Sequence, residues 1–212
     1  MALIISGDKS VNALWAISPT SNAASISRYN QDGSSWMQKT TYRASTTAKK
    51  TGTASVNAMA ILIGSDSKIV RVARILVTAT IATTATYQEL SVDYVSILDP
   101  YAATAPSTLL IPISSDSSSP ISSIAAVGVY TGAAPFLAVS VDGYIASKNQ
   151  FLPVTGTVTR STGIYDFDWR GTDESFVPTI RSSSQAILVY WQTAAALAPT
   201  FTVAFEWTEE NF

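Results

Sequence analysis

Phe201-Thr202-Val203-Ala204-Phe205-Glu206-Trp207-Thr208, close to the carboxy terminus, alternates large apolar residues with small or polar ones. Successive side chains of an extended strand point to opposite faces. Phe201, Val203, Phe205 and Trp207 therefore share one face, and Thr202, Ala204, Glu206 and Thr208 share the other. A repeat of two over this length is a strand signal rather than a helical one. Its aromatic face must be a core or an interface.

Upstream, the same kind of signal recurs at Val56 to Ile63, Lys68 to Thr80, Thr86 to Leu98, Thr108 to Ile113, Val139 to Ala146, Phe151 to Thr159, Ile164 to Trp169 and Ala186 to Gln192. Polar breaks separate these runs, a spacing that suggests a sandwich or jelly roll. In the third run Leu90, Val92 and Tyr94 fall on one face and Glu89, Ser91 and Asp93 on the other, the pattern of a half-buried strand. Between Asp116 and Pro135, Ser117-Ser118-Ser119-Pro120 could cap a helical turn carrying Ile121, Ile124, Ala125 and Val127, or loop into a strand. The expected fold is an all-β antiparallel sandwich, jelly-roll-like, over residues 54–212, with at most one short helix.

Residues 1–53 read differently. Clusters such as Ser18-Pro19-Thr20-Ser21-Asn22 and Gln31-Asp32-Gly33-Ser34-Ser35 separate short apolar pieces, as in an extended arm with turns. Trp15, Tyr29, Trp36 and Tyr42 lie in this stretch. Large aromatics are poorly explained by a segment that stays in water, and they are enriched at the centres of interfaces. They are the candidate partner-binding residues.

Composition narrows the function. Hydrophobic residues make up 47% of the 212 positions and charged residues 13%, against about 25% charged in ordinary soluble domains. Part of the surface is therefore expected to be buried against other subunits. Ser and Thr supply roughly a quarter of the chain, a mixture that favours strands and turns. The net charge is −2, so the dense basic face that releases counterions from nucleic acid is missing. No apolar run reaches the roughly 20 residues of a spanning helix, and Met1 to Ser6 has no basic flank of a secretion signal. A soluble chain that binds neither nucleic acid nor membrane is expected. It has no Cys, which removes disulfides and thiol chemistry, and no His, the usual proton carrier near neutral pH. No enzyme activity and no cofactor are expected.

Three motifs carry chemistry in principle. Gly7-Asp8-Lys9-Ser10 resembles the end of a phosphate-binding loop, but lacks the upstream glycine and the preceding strand, and reads as a turn. Asp166, Asp168, Asp173 and Glu174 place four carboxylates within nine positions, which could hold calcium, though not with EF-hand spacing. The same carboxylates beside Tyr165, Trp169 and Trp191 could serve glycoside hydrolysis. Asp166 and Asp168 lie opposite Tyr165, Phe167 and Trp169 on a strand, so the plainer reading is a solvent face followed by a turn. Glu206, Glu209 and Glu210 make an acidic end that could meet the basic Lys39, Arg43, Lys49 and Lys50, or remain solvated.

Lys68-Ile69-Val70-Arg71-Val72 opens a long strand, Ile111-Pro112-Ile113-Ser114-Ser115-Asp116 precedes a Ser-rich loop, Asp166-Phe167-Asp168-Trp169 follows a late strand, and Ala204-Phe205-Glu206-Trp207-Thr208-Glu209-Glu210 ends the chain. This order, over about two thirds of the sequence, resembles a family of small virion structural proteins of tailed bacteriophages and prophages. The resemblance implies a jelly-roll-like subunit on the capsid exterior, a cement or decoration protein or a head fibre, commonly a homotrimer bound to the major capsid protein. Two other roles share the fold expectation. One is a receptor- or carbohydrate-binding fibre component, expected to show an exposed aromatic cluster around Tyr144, Trp169 or Trp191. The other is a minor neck or baseplate protein.

Overall fold

The computed structural model describes residues 13–17, 24–28, 40–51, 58–81, 86–97, 108–115, 122–131, 139–152, 161–170, 176–192 and 200–211. Two compact units, Met1–Lys39 and Thr40–Phe212, make up the chain. In the first, β1 (Ala13–Ile17) and β2 (Ala24–Arg28) form an antiparallel pair with Trp15 opposite Ile26.

The second unit is an all-β sandwich of two antiparallel sheets. One sheet runs β11 (Val139–Leu152), β7 (Thr86–Ile97), β14 (Gln185–Trp191), β5 (Ala58–Ile63), β10 (Ala126–Val129), β8 (Thr108–Leu110). The other runs β12 (Ser161–Asp168), β6 (Ile69–Ile81), β15 (Thr200–Glu210), β3 (Thr40–Ser45), β9 (Ile113–Ser114). Short β13 (Thr179–Ile180) adds to β6 and short β4 (Lys50–Thr51) to β15. No α-helix occurs among the described residues.

The carboxy-terminal strand is central to its sheet, as its alternation requires. Phe201, Val203, Phe205 and Trp207 are buried and face the core. Trp207 stacks on Tyr42 with ring centroids 5.9 Å apart, and across the sandwich Tyr165 meets Trp191 edge to face at 5.5 Å. Such offset and edge contacts suit the ring quadrupole. From β6, Val70 and Val72 point inward, then Ile75, Val77 and Ala79. The change of parity is a bulge: Glu206 faces Arg74 while Trp207 faces Val72, which leaves Ala73 as the extra residue.

Within 116–135 the described residues take the loop-into-strand alternative, in keeping with at most one short helix. Val127 and Val129 alternate inward in β10, and β-branched residues pack better on a pleated surface. Other expectations are corrected. Within residues 40–51, expected in the arm, β3 and β4 both pair with the edge of β15 opposite β6, and Tyr42 and Ala44 alternate with Arg43 and Ser45 and bury one face. The separate runs at 139–146 and 151–159 share the single strand β11 as far as Leu152, with register shifts that absorb its twist.

The six-stranded sheet buries both faces at its centre. Ile187, Val189 and Trp191 face the sandwich core, while Ala186 and Leu188 join Ile61, Val95 and Tyr130 in a second apolar layer on the opposite face. This is why Ala186 to Trp191 is apolar without interruption. Ser91 and Asp93, expected on a solvent face, lie in this second layer and are buried. Tyr190 donates its hydroxyl proton to Asp93 Oδ2 at 2.6 Å, and Gln192 donates to Ser91 Oγ at 2.7 Å. Asp93 Oδ1 is buried with no hydrogen-bond partner.

Burial outweighs the Tyr190 hydrogen bond and raises the Asp93 pKa above the carboxylate value of 3.8. The unfolded chain thus ionises this group first. Its stabilising contribution is fully present below about pH 3.8 and is lost as pH rises through the folded value. Asp93→Asn, which cannot ionise, is expected to gain stability relative to the parent as pH rises above about 3.8, read by urea unfolding. A stability difference independent of pH would show that Asp93 ionises freely in the folded protein.

Candidate interaction surface at the sandwich edge

The seven-stranded sheet exposes its outer side, and Asp166 and Asp168, two of the carboxylates singled out in the sequence, lie on it. Asp166 accepts two hydrogen bonds of 2.8 Å from Arg74, Nε to Oδ1 and Nη2 to Oδ2. Asp168 is paired with Arg170 at 2.5 Å. Arg74 lowers the Asp166 pKa, and the Arg170 side chain and backbone N–H lower that of Asp168 to about 2. Neither carboxyl has the raised proton affinity of a general acid. Each fills its oxygens with guanidinium, and no cluster of three or more metal-ligating side chains occurs among the described residues. Asp173 and Glu174 lie outside the described residues.

Charges alternate across this face from strand to strand. Arg43 on β3 approaches Glu206 on β15 at 3.8 Å, and Glu206 also meets Arg170 at 3.5 Å. Arg71 on β6 pairs with Glu210 at 3.0 Å. Two of the three terminal glutamates thus meet cations, one of them on β3. Exposed pairs of this kind contribute at most about 1 kcal/mol each, so they set register more than stability.

Glu209 behaves differently. It follows Phe201 to Trp207 on the inward face and is 7% exposed. Its Oε1 accepts from Trp207 Nε1 at 3.1 Å, Ser123 Oγ at 2.5 Å and the backbone N–H groups of Ile124 and Ala125 at 3.2 Å. A buried carboxylate is tolerated because these donors replace its hydration. The acid therefore ties the strand to the loop leading into β10.

Of the four aromatic residues expected to grip a partner, Tyr42 is the one whose side chain is among the described residues. Tyr42 is 2% exposed in the core and unavailable to a partner. Trp15 lies at the middle of β1, while Tyr29 and Trp36 lie outside the described residues. Of the aromatics expected to form a sugar platform, Trp191 is fully buried, Trp169 packs on Phe167 at 6.3 Å, and Tyr144 is 64% exposed.

The exposed apolar surface lies elsewhere. Residues 108–115 carry the chain from β8, the edge of one sheet, to β9, the edge of the other. Leu110 turns inward, while Leu109, Ile111 and Ile113 are 66%, 83% and 67% exposed. They line a groove of about 540 Å³ with Arg43, Ser45 and Lys50 on its other side. The sequence contained the signal: Leu109-Leu110-Ile111-Pro112-Ile113 is apolar on both faces, and proline within a strand run marks an edge. An edge strand with apolar residues on its outer face leaves them in water.

At the opposite side of the sandwich, polar side chains of β11 reach the backbone of β12. Gln150 accepts from Ile164 N–H at 3.2 Å and donates to the Ile164 carbonyl, reproducing both bonds of a neighbouring strand. Lys148 donates to the Asp166 carbonyl, with its ammonium 5.6 Å from the Phe167 ring centre. Fold and surface together define an antiparallel β-sandwich whose β8–β9 edge is apolar and cation-rimmed. No protein-family model matches the chain, and no curated protein matches it.

Proposed function

We propose that the chain is a structural subunit of a tailed-bacteriophage particle, a cement or decoration protein on the capsid exterior that acts through protein contacts rather than catalysis. The observation that carries this reading is the exposed stripe Leu109, Ile111 and Ile113 along one sandwich edge. Three adjacent branched apolar side chains in water are costly for a free subunit, and exposed apolar patches mark sites of association. The low charge content points the same way. The phage assignment itself rests on the sequence resemblance, as do the homotrimer and the choice of the major capsid protein as partner. Burial of Trp191 and the packing of Trp169 favour this reading over a sugar-binding platform.

The test combines solution mass with binding. Light scattering after size exclusion should give three times the 22.5 kDa of the chain. The protein should also sediment with DNA-emptied capsids of the particle that encodes it. A monomer that leaves such capsids bare would overturn the reading, and binding on a glycan array would favour a receptor-binding role.

A further inference from the structure

We infer that the groove between β8 and β9 takes an extended segment of a partner protein, apolar at alternate positions and carrying carboxylates. This deepens the structural role proposed above by giving the chemistry of the partner, and it rests on that reading.

The spacing of the stripe points to an extended ligand. Leu109, Ile111 and Ile113 project at every second residue, a repeat of about 6.6 Å, and a strand laid alongside presents its own side chains at the same interval. Both neighbouring strands end their sheets, so the groove lies where strand addition extends an existing ladder. Its volume of about 540 Å³ suits a few side chains rather than a folded domain.

Charge decides what the segment carries. Arg43 and Lys50 are the charged residues lining the groove. Arg43 faces Ile113 across the β3–β9 pair, and its side chain is 57% exposed despite Glu206 at 3.8 Å. A second copy packing this edge against its own would set the same cations against each other, since a twofold contact repeats one surface. A segment bearing Asp or Glu meets them with opposite charge.

The probe is a random library of roughly ten-residue peptides displayed on yeast and selected on the full-length protein. The winning peptide is then measured by fluorescence anisotropy. We expect enrichment of alternating apolar residues with Asp or Glu. Affinity should fall roughly tenfold or more for Ile111→Asp and for the pair Arg43→Glu and Lys50→Glu. All three positions lie on the surface, and unchanged circular dichroism would confirm folding. No enrichment, a basic consensus, or binding indifferent to these variants would overturn the inference. So would an Ile111→Asp protein whose mass drops to one chain, because a second copy would then be the occupant. Capsid sedimentation that survives such a result would leave the structural role standing without this groove.

Discussion

Trp207→Ala is expected to cost about 4 kcal/mol of folding stability, the middle of the range for truncating a buried aromatic. The indole is fully buried between the sheets, stacks on Tyr42 and donates to Glu209. Removal leaves a cavity where β3, β6 and β15 meet, and the bulge at Ala73 fixes the backbone around it. A chain of this size should lose about 12 °C in melting temperature. Urea unfolding gives the free energy directly, and a loss under about 1 kcal/mol would mean that the core closes over the site and that Trp207 does not organise it.

Glu209→Leu should cost about 3 kcal/mol although leucine fills much the same space. The apolar side chain leaves the buried Trp207 and Ala125 N–H groups without this acceptor and also removes it from the Ser123 hydroxyl and the Ile124 N–H. Glu209→Gln keeps one acceptor and should lose about half as much. The Trp207 and Glu209 effects should not add, since each removes a partner of the other. Additive losses in the double variant would show that the 3.1 Å bond carries little energy.

Glu209 also shows why the sequence was only partly legible. Strand period alone places it inward after Phe201, Val203, Phe205 and Trp207. Its charge reads as a solvated terminus because its donors come from Ser123 to Ala125, some 85 residues earlier. Asp93 misled in the same way: its alternation with Val92 and Tyr94 was visible, but not the second layer formed by Ile61, Val95 and Leu188. Local period shows which residues share a face, and tertiary pairing decides whether that face is wet. The central strand β15 was legible from Phe201 to Thr208 because those residues carry the pattern themselves. β3 was missed because Tyr42 and Ala44 are a short signal, and only pairing with β15 makes them a strand. The parity change in Val70, Val72, Ile75 and Val77 recorded the bulge, since two inward runs offset by one residue need an extra position between them.

The surface followed the same division. Thr108 to Ile113 was read only as a strand, although apolar residues on both faces of 109–113 and the internal proline carry the signal of an edge. Arg170, the partner of Asp168, stands only two residues away, whereas Arg74, the partner of Asp166, lies more than ninety positions from it. A carboxylate counted along the chain cannot reveal that its charge is matched by a cation arriving from another strand.

Lys148 and Gln150 give the sandwich a handed valence. Open-ended head-to-tail growth requires two receptive edges on every copy. By occupying the β12 backbone, these two side chains remove one of them. Strand addition at β12 would first have to displace Lys148 and Gln150 from the Ile164 and Asp166 backbone groups they occupy, whereas β8 and β9 carry no such side-chain cover among the hydrogen bonds described above.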